Sequence, residues 1–313
     1  MRRQPAPDSQ RLPRQPLHRG GRLTTYGFEA EFGTGADEVA RLLHAGDWTG
    51  DPYIHQYHCD CSYCEFGGDY TFRVQRDSTC SGEVISDVFM SDGADTGPHA
   101  MRALETAAIE ADAEPGFTAG FHVHVGMNGT TRAHKARALW NFMRWERELL
   151  TLAAGRFDRV RDGMNRAAFN PRFFAHVRTD TPFYGSPSRV SLDWFAENLG
   201  TDTFADLQTE VLETHKASDR HSNLNIGTRH STWEFRLWNS TRSAWRMEMF
   251  CRTSVALTSP AVVSAMLALP VPDAPALPGI LDAEGHSRAA ELVARQLHYS
   301  LTRPADLADF ARL

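Results

Sequence analysis

The chain has 313 residues, of which 42% are apolar, 10% aromatic and 23% charged, with a formal net charge of −6. That is the composition of a globular protein, long enough for one large domain or two small ones, and its acidic balance gives no general reason to expect a nucleic-acid partner. Only Lys135 and Lys216 are lysines among 33 basic residues, and no G-x-x-x-x-G-K-[ST] loop occurs, so nucleotide phosphates would have to be met by arginine, metal and backbone.

Residues 1–21 are rich in Pro, Gln and Arg and lack the apolar stretch of a secretory signal, so a flexible arm and a cytoplasmic protein are expected. No run of about 18 apolar residues predicts a membrane span. "RLTTYGFEAEFG" (22–33) alternates and ends in glycine, which predicts a strand; "ADEVARLLHAG" (36–46) predicts a short helix. Residues 50–68 form a Cys- and His-rich insertion. "DYTFRVQRD" (69–77) and "GEVISDVF" (82–89) read as strands around a turn. "TGPHAMRALETAAIEADAEPG" (96–116) predicts a helix with a Thr-Gly-Pro entry that stops before Pro115. "GFHVHVG" (120–126) is β-branched and bounded by glycine, which predicts another strand.

A long helix is expected over 130–155, with a threonine cap and a terminal glycine. Its Trp140, Phe142, Met143 and Trp145 read as packing residues. Residues 156–187 have the composition of a long loop, and two helices are expected before Lys216. "HSNLNIG" and "STWEFRLWN" predict a final strand pair, followed by one long helix from about Thr241 to Leu267. "PVPDAPALPG" reads as a proline-rich linker, with helices after it that pack back on the domain. The domain thus runs over 22–268 and the linker and C-terminal helices over 269–313. The fold class is α+β with a mostly antiparallel sheet, because helices and strands do not alternate strictly.

Three of these strands share a peculiarity. Side chains two apart on a strand point to the same side. Glu29 and Glu31 therefore share a face against Phe28, Ala30 and Phe32; His122 and His124 against Phe121, Val123 and Val125; Glu234 and Arg236 against Trp233, Phe235 and Leu237. Asp77 and Glu83 flank a turn. One reading makes these the solvent side of amphipathic strands. The other makes the strands neighbours, so that Glu29, Glu31, Glu83, His122, His124 and Glu234 line one surface. Four carboxylates that close repel unless protonated or neutralised by cations. A carboxylate-dominated set with one imidazole suits Mg²⁺ or Mn²⁺ better than zinc. Residues two apart lie roughly 6.6 Å apart, enough to reach different ions in a site whose metals sit about 4 Å apart. Arg236 could meet a phosphate or a substrate carboxylate, or simply pair with Glu234.

"HQYHCDCSYCEF" in the insertion adds His55, His58, Cys59, Cys61 and Cys64. Cys61 and Cys64 have ligand-pair spacing, and His58 and Cys59 could complete a structural Zn²⁺ site. Five cysteines, an odd count, do not make a disulfide framework; a loop of reduced cysteines is the competing reading. Cys251 is expected in the core.

"GFEAEF", "RDSTCSGEVIS", "GFHVHVG" and "NIGTRHSTWEFRLWNST", in that order, resemble the amidoligases of the carboxylate–amine ligase superfamily, relatives of glutamine synthetase and glutamate–cysteine ligase. The resemblance spans roughly residues 22 to 250. It implies a glutamine-synthetase-like sheet with helices on one face and an open concave catalytic face. It implies ATP and Mg²⁺ (or Mn²⁺), with Glu29, His122 and Glu234 around one ion and Glu31 and Glu83 holding a second. Asp77 falls in the family's D-x-S element and would support metal or substrate. Arg236 would contact the transferred phosphate and His124 the nucleotide, or else act through hydrogen bonds. A basic residue before the N-L strand would be Lys216, Arg220 or His221; Arg220 is the candidate for nucleotide contact. The partners implied are small-molecule or peptide carboxylates and amines, including free amino acids, cell-wall fragments or a protein tail; oligomeric state is open. Two other classes compete. H-x-H also marks metal-dependent hydrolases with amidohydrolase barrels, which need eight strand–helix repeats. A zinc-stabilised binding module needs no nucleotide.

Overall fold

Alternation in "TYGFEAEF" produces the strand on which the rest is hung. In the computed structural model, which describes residues 24–56, 59, 70–78, 80–91, 95–116, 119–154, 224–225, 231–269 and 273–302, β1 (Thr25–Phe32) buries Tyr26, Phe28, Ala30 and Phe32 on one side. The other strands are β2 (Phe72–Gln75), β3 (Gly82–Ser86), β4 (Phe89–Met90), β5 (Gly120–Gly126), β6 (Leu224–Asn225) and β7 (Thr232–Asn239). They form one sheet in the order β2-β3-β1-β5-β7-β6, with β4 pairing beyond this path on β1. Each of these strand pairs is antiparallel. An isolated bridge sets His55, from the Cys- and His-rich segment, parallel to Gln75 at the β2 edge.

The apolar faces of the strands meet the helices α1 (Ala36–Ala45), α2 (Gly97–Glu110), α3 (Arg132–Ala154) and α4 (Ala244–Leu257). Phe28 stacks on Phe121 at 5.1 Å, Trp238 on Phe250 at 4.7 Å, and Phe142 meets Phe235 edge-on at 5.9 Å. These offset and edge contacts add to the area buried by each ring. Trp140, Phe142 and Trp145 are core residues of α3, so the aromatic residues of that helix serve packing. α4 is buried on almost every side, Cys251 included. α1 is capped by Gly35, where φ is 79° and an added Cβ would lie 2.8 Å from the Ala113 Cα, leaving no room for a side chain.

Two sequence expectations are corrected here. The helix expected from Thr241 to Leu267 is two helices, α4 and α5 (Pro260–Ala268), bent by 77°. Pro260 cannot donate to the preceding turn, and the Ser259 hydroxyl instead accepts from the Val262 amide, starting a new helix. The signal was present in "TSP" but was outweighed by the continuous apolar pattern. The proline-rich stretch is also more than a linker: a 3₁₀ turn (Ala274–Ala276) leads into α6 (Leu277–Ala283), with Ala274, Leu277 and Leu281 buried. Pro275 and Pro278 occupy first-turn positions, where no N–H is required.

α7 (Ser287–Thr302) then returns to the domain, where Gln296 donates to the Leu152 carbonyl at 3.1 Å and Arg288 pairs with Glu248. No single helix among the described residues is long and apolar enough to cross a membrane. The antiparallel pairing also removes the barrel reading, which needs parallel strands joined by helical crossovers. The two helices expected between residues 188 and 215 lie outside the described residues.

Candidate functional site

The register of the sheet carries the polar groups to one place. On the face opposite the helices, Glu31 stands directly across from Glu83, Glu29 from His122, and His124 from Glu234. Because β1, β5 and β7 are consecutive in the sheet, three strands far apart in sequence contribute adjacent side chains. A register shift between Phe121 and Val123 sets three steps of β7 against two of β5, placing both Arg236 and Leu237 opposite His122. Such a bulge re-aims side chains locally. It keeps Glu234 and Arg236 on the polar side while Leu237 and Trp238 are buried.

Ligand atoms of Glu29, His122 and Glu234 lie within 4.8 Å of one another. His122 Nδ1 is 3.1 Å from Glu29 Oε2 and 3.6 Å from Glu234 Oε1, while its Nε2 sits 3.6 Å from Glu31 Oε1. His124 Nε2 is 3.1 Å from the other Glu29 oxygen, and its Nδ1 is 3.3 Å from the Thr232 hydroxyl. Arg236 contacts Glu234 Oε1. The Gly120 amide donates to Glu31.

Solvent-side residues of an amphipathic strand would be open to water. Instead Glu31, Glu83, His122 and Glu234 are 4%, 5%, 1% and 5% exposed. Burial governs the proton affinity of the Glu83 and Glu31 carboxyls. It pushes the Glu83 carboxyl up to about 9, assisted by the charges of Glu29, Glu31 and Asp77. It raises Glu31 too, against the pull of His122 and the Gly120 amide. For Glu29 burial is outweighed by His124 and His122, which hold the carboxyl well below the usual carboxylate range. His124 is raised in return: Glu29 overcomes the effect of burial.

Carboxylates crowded until some must take up protons form a site short of positive charge. The donor set is oxygen-rich with one imidazole nitrogen, and the buried His122 Nε2 has no hydrogen-bond partner among the described residues. These residues fit a divalent cation of the Mg²⁺ or Mn²⁺ kind.

The other candidates fall into place around this core. Asp77 lies close enough to Glu31 and Glu83 to act on both electrostatically, with Cys80 Sγ 4.0 Å from its Oδ1. Burial and these neighbouring acids push the Cys80 thiol up to about 12. Arg220, Lys216 and His221 lie outside the described residues, as do His58, Cys61 and Cys64 of the zinc set; Cys59 is half-buried.

Sequence reading did not single out Gln75, Asn225 or Thr232. Gln75 stands directly across from Glu83 and donates to its Oε1 at 2.5 Å. Asn225 stands across from Glu234 and donates to its Oε2 at 2.8 Å. A neutral amide on a short strand carries no distinguishing pattern; only knowledge of the strand order reveals what it faces.

No curated protein matches the chain. Residues 55–258 match the family model described as "Putative amidoligase enzyme". The matched range takes in Asp77, Glu83, His122, His124, Glu234 and Arg236, and begins after β1, whose Glu29 and Glu31 are tied to it by pairing with β3 and β5. The match covers well over half of the chain, and the protein belongs to the amidoligase family.

Proposed function

We propose that this protein is an ATP-dependent carboxylate–amine ligase that forms an amide bond through an acyl-phosphate intermediate. The observation that carries the reading is the convergence of Glu29, His122 and Glu234 from three strands far apart along the chain, in a chain of the amidoligase family. In the proposed reaction a substrate carboxylate oxygen attacks the γ-phosphorus of ATP, the bond to ADP breaks, and an acyl phosphate results. An amine nitrogen then attacks the acyl carbon, inorganic phosphate leaves, and the nitrogen gives up a proton.

Divalent cations would neutralise the oxygens that crowd together as these anions approach. Glu29, His122 and Glu234 would hold one, and Glu31 and Glu83 a second. Arg236 would supply fixed positive charge at the phosphate, in a chain with only two lysines among its 33 basic residues. Its planar fork suits phosphate or carboxylate oxygens. His124, hydrogen-bonded to Thr232 and Glu29, would hold Glu29 in place and contact the nucleotide. The polar face as a whole would be the concave catalytic face of a glutamine-synthetase-like sheet, and His58, Cys59, Cys61 and Cys64 would bind a structural Zn²⁺, to be checked by metal analysis of the purified protein.

The test is a reaction containing ATP, Mg²⁺ and pooled amino acids or peptides. ADP and phosphate should accumulate only when carboxylate donor and amine acceptor are both present. Unchanged turnover in Glu29→Gln and Glu234→Gln, or amide hydrolysis without nucleotide, overturns the reading.

A further inference from the structure

We propose that Gln75 and Asn225 are positioning residues, which aim the outermost carboxylates of the acidic face at the bound cations; this rests on the metal reading above. The two amides are placed alike. Gln75 is on β2 and Asn225 on β6, the strands at the two ends of the sheet order. Each stands directly across one strand pair from a glutamate, Gln75 from Glu83 and Asn225 from Glu234. Each gives that glutamate one side-chain N–H, at 2.5 Å and 2.8 Å. The acidic row is thus bracketed by neutral donors.

The atoms involved indicate the purpose. Asn225 takes Oε2 of Glu234, while Oε1, which Arg236 also contacts, is the oxygen 3.6 Å from His122 Nδ1, turned toward the trio. One oxygen is fixed by the amide and the other is presented inward. A buried carboxylate needs such support, because an unpaired acceptor in the interior is costly. The chemistry of the partner matters as well. Glu234 already meets the Arg236 guanidinium through Oε1, so a further cation beside Oε2 would compete with the metal, whereas another carboxylate would add like-charge repulsion. An amide supplies direction without charge. Partners that orient metal ligands in this way typically govern affinity by 10–100-fold.

The experiment is a titration of the full-length, metal-stripped protein with Mn²⁺, reading affinity, stoichiometry and the melting temperature with and without metal. Gln75→Met and Asn225→Leu preserve side-chain size and remove the donor. Each is expected to raise the Kd for Mn²⁺ about 10–100-fold, with full stoichiometry and the metal-bound melting temperature regained at saturating Mn²⁺. Variants that bind Mn²⁺ as tightly as the parent overturn the positioning role alone. Variants whose weakened binding or lowered stability excess Mn²⁺ does not restore show a merely structural role, and overturn it too. A parent protein that binds no Mn²⁺ overturns the metal reading itself, and the inference with it.

Discussion

Glu234→Gln separates metal binding from fold integrity. The substitution keeps the side-chain volume and removes one negative charge from the trio of Glu29, His122 and Glu234. In wild type, Mn²⁺ at about 100 times its Kd should stabilise the folded state by about 2.7 kcal/mol. In a domain of this size that corresponds to a rise in Tm of about 5–10 °C. Loss of a direct ligand should weaken binding by at least about 100-fold, since partners that merely orient ligands account for 10–100-fold. At the same Mn²⁺ concentration the stabilisation then falls to about 0.4 kcal/mol, or about 1 °C. Without metal the variant also loses its charge-assisted contact with Arg236, worth about 1.5–3 kcal/mol, so its Tm in chelator should lie below that of wild type.

Differential scanning fluorimetry with and without Mn²⁺ measures both quantities. Glu38→Gln, on the exposed side of α1 beside Arg41, is the control and should retain the full metal shift. A Glu234→Gln protein that keeps the wild-type shift refutes the assignment of this carboxylate to the cation.

Glu248 ties α4 to α7 by accepting from Arg252 at 2.8 Å and Arg288 at 3.0 Å. Burial raises its carboxyl, but the two guanidinium groups outweigh burial and hold it below the usual range. A carboxyl with a depressed folded value contributes stability above its unfolded value, near 4.3, and loses that contribution as pH falls through the folded value. Glu248→Gln should therefore cost about 2 kcal/mol in urea unfolding at pH 7, and the gap to wild type should close in more acidic buffer; a gap independent of pH contradicts the pairing. Gly97→Ala would put a Cβ 2.0 Å from the Tyr26 hydroxyl, which donates to Asp95 at 2.7 Å, and should lower stability by about 2–3 kcal/mol; an unchanged melting temperature contradicts this. Trp238→Phe strands the buried Ser254 hydroxyl that the indole reaches at 2.9 Å and should cost about 2 kcal/mol, partly regained by adding Ser254→Ala. No recovery in the double variant would mean that packing, not the hydrogen bond, dominates there.

Local pattern made much of this molecule legible. The two-residue period of "GFEAEF", "FHVHV" and "WEFRLW" sorted Glu29, Glu31, His122, His124, Glu234 and Arg236 onto one side of their strands. Apolar spacing marked α1, and end signals marked α2 (a Thr-Gly-Pro entry and the stop before Pro115) and α3 (a threonine cap and a terminal glycine). The pattern failed where a single residue overrode a long periodic stretch, as Pro260 does between α4 and α5, and where prolines sat in first turns rather than in a linker.

Which face a side chain takes is a local matter, since the pleat alone decides it. Which strands become neighbours, and in what register, depends on how the whole apolar face packs beneath the helices. The sequence by itself therefore determined the composition of the acidic face, its alternation and its imidazoles. Only the tertiary structure decided that Glu31 faces Glu83, that His122 lies between Glu29 and Glu234, and that the amides of Gln75 and Asn225 close the row at both edges. Pairing across a sheet joins residues that are remote along the chain, so no short window of sequence contains it.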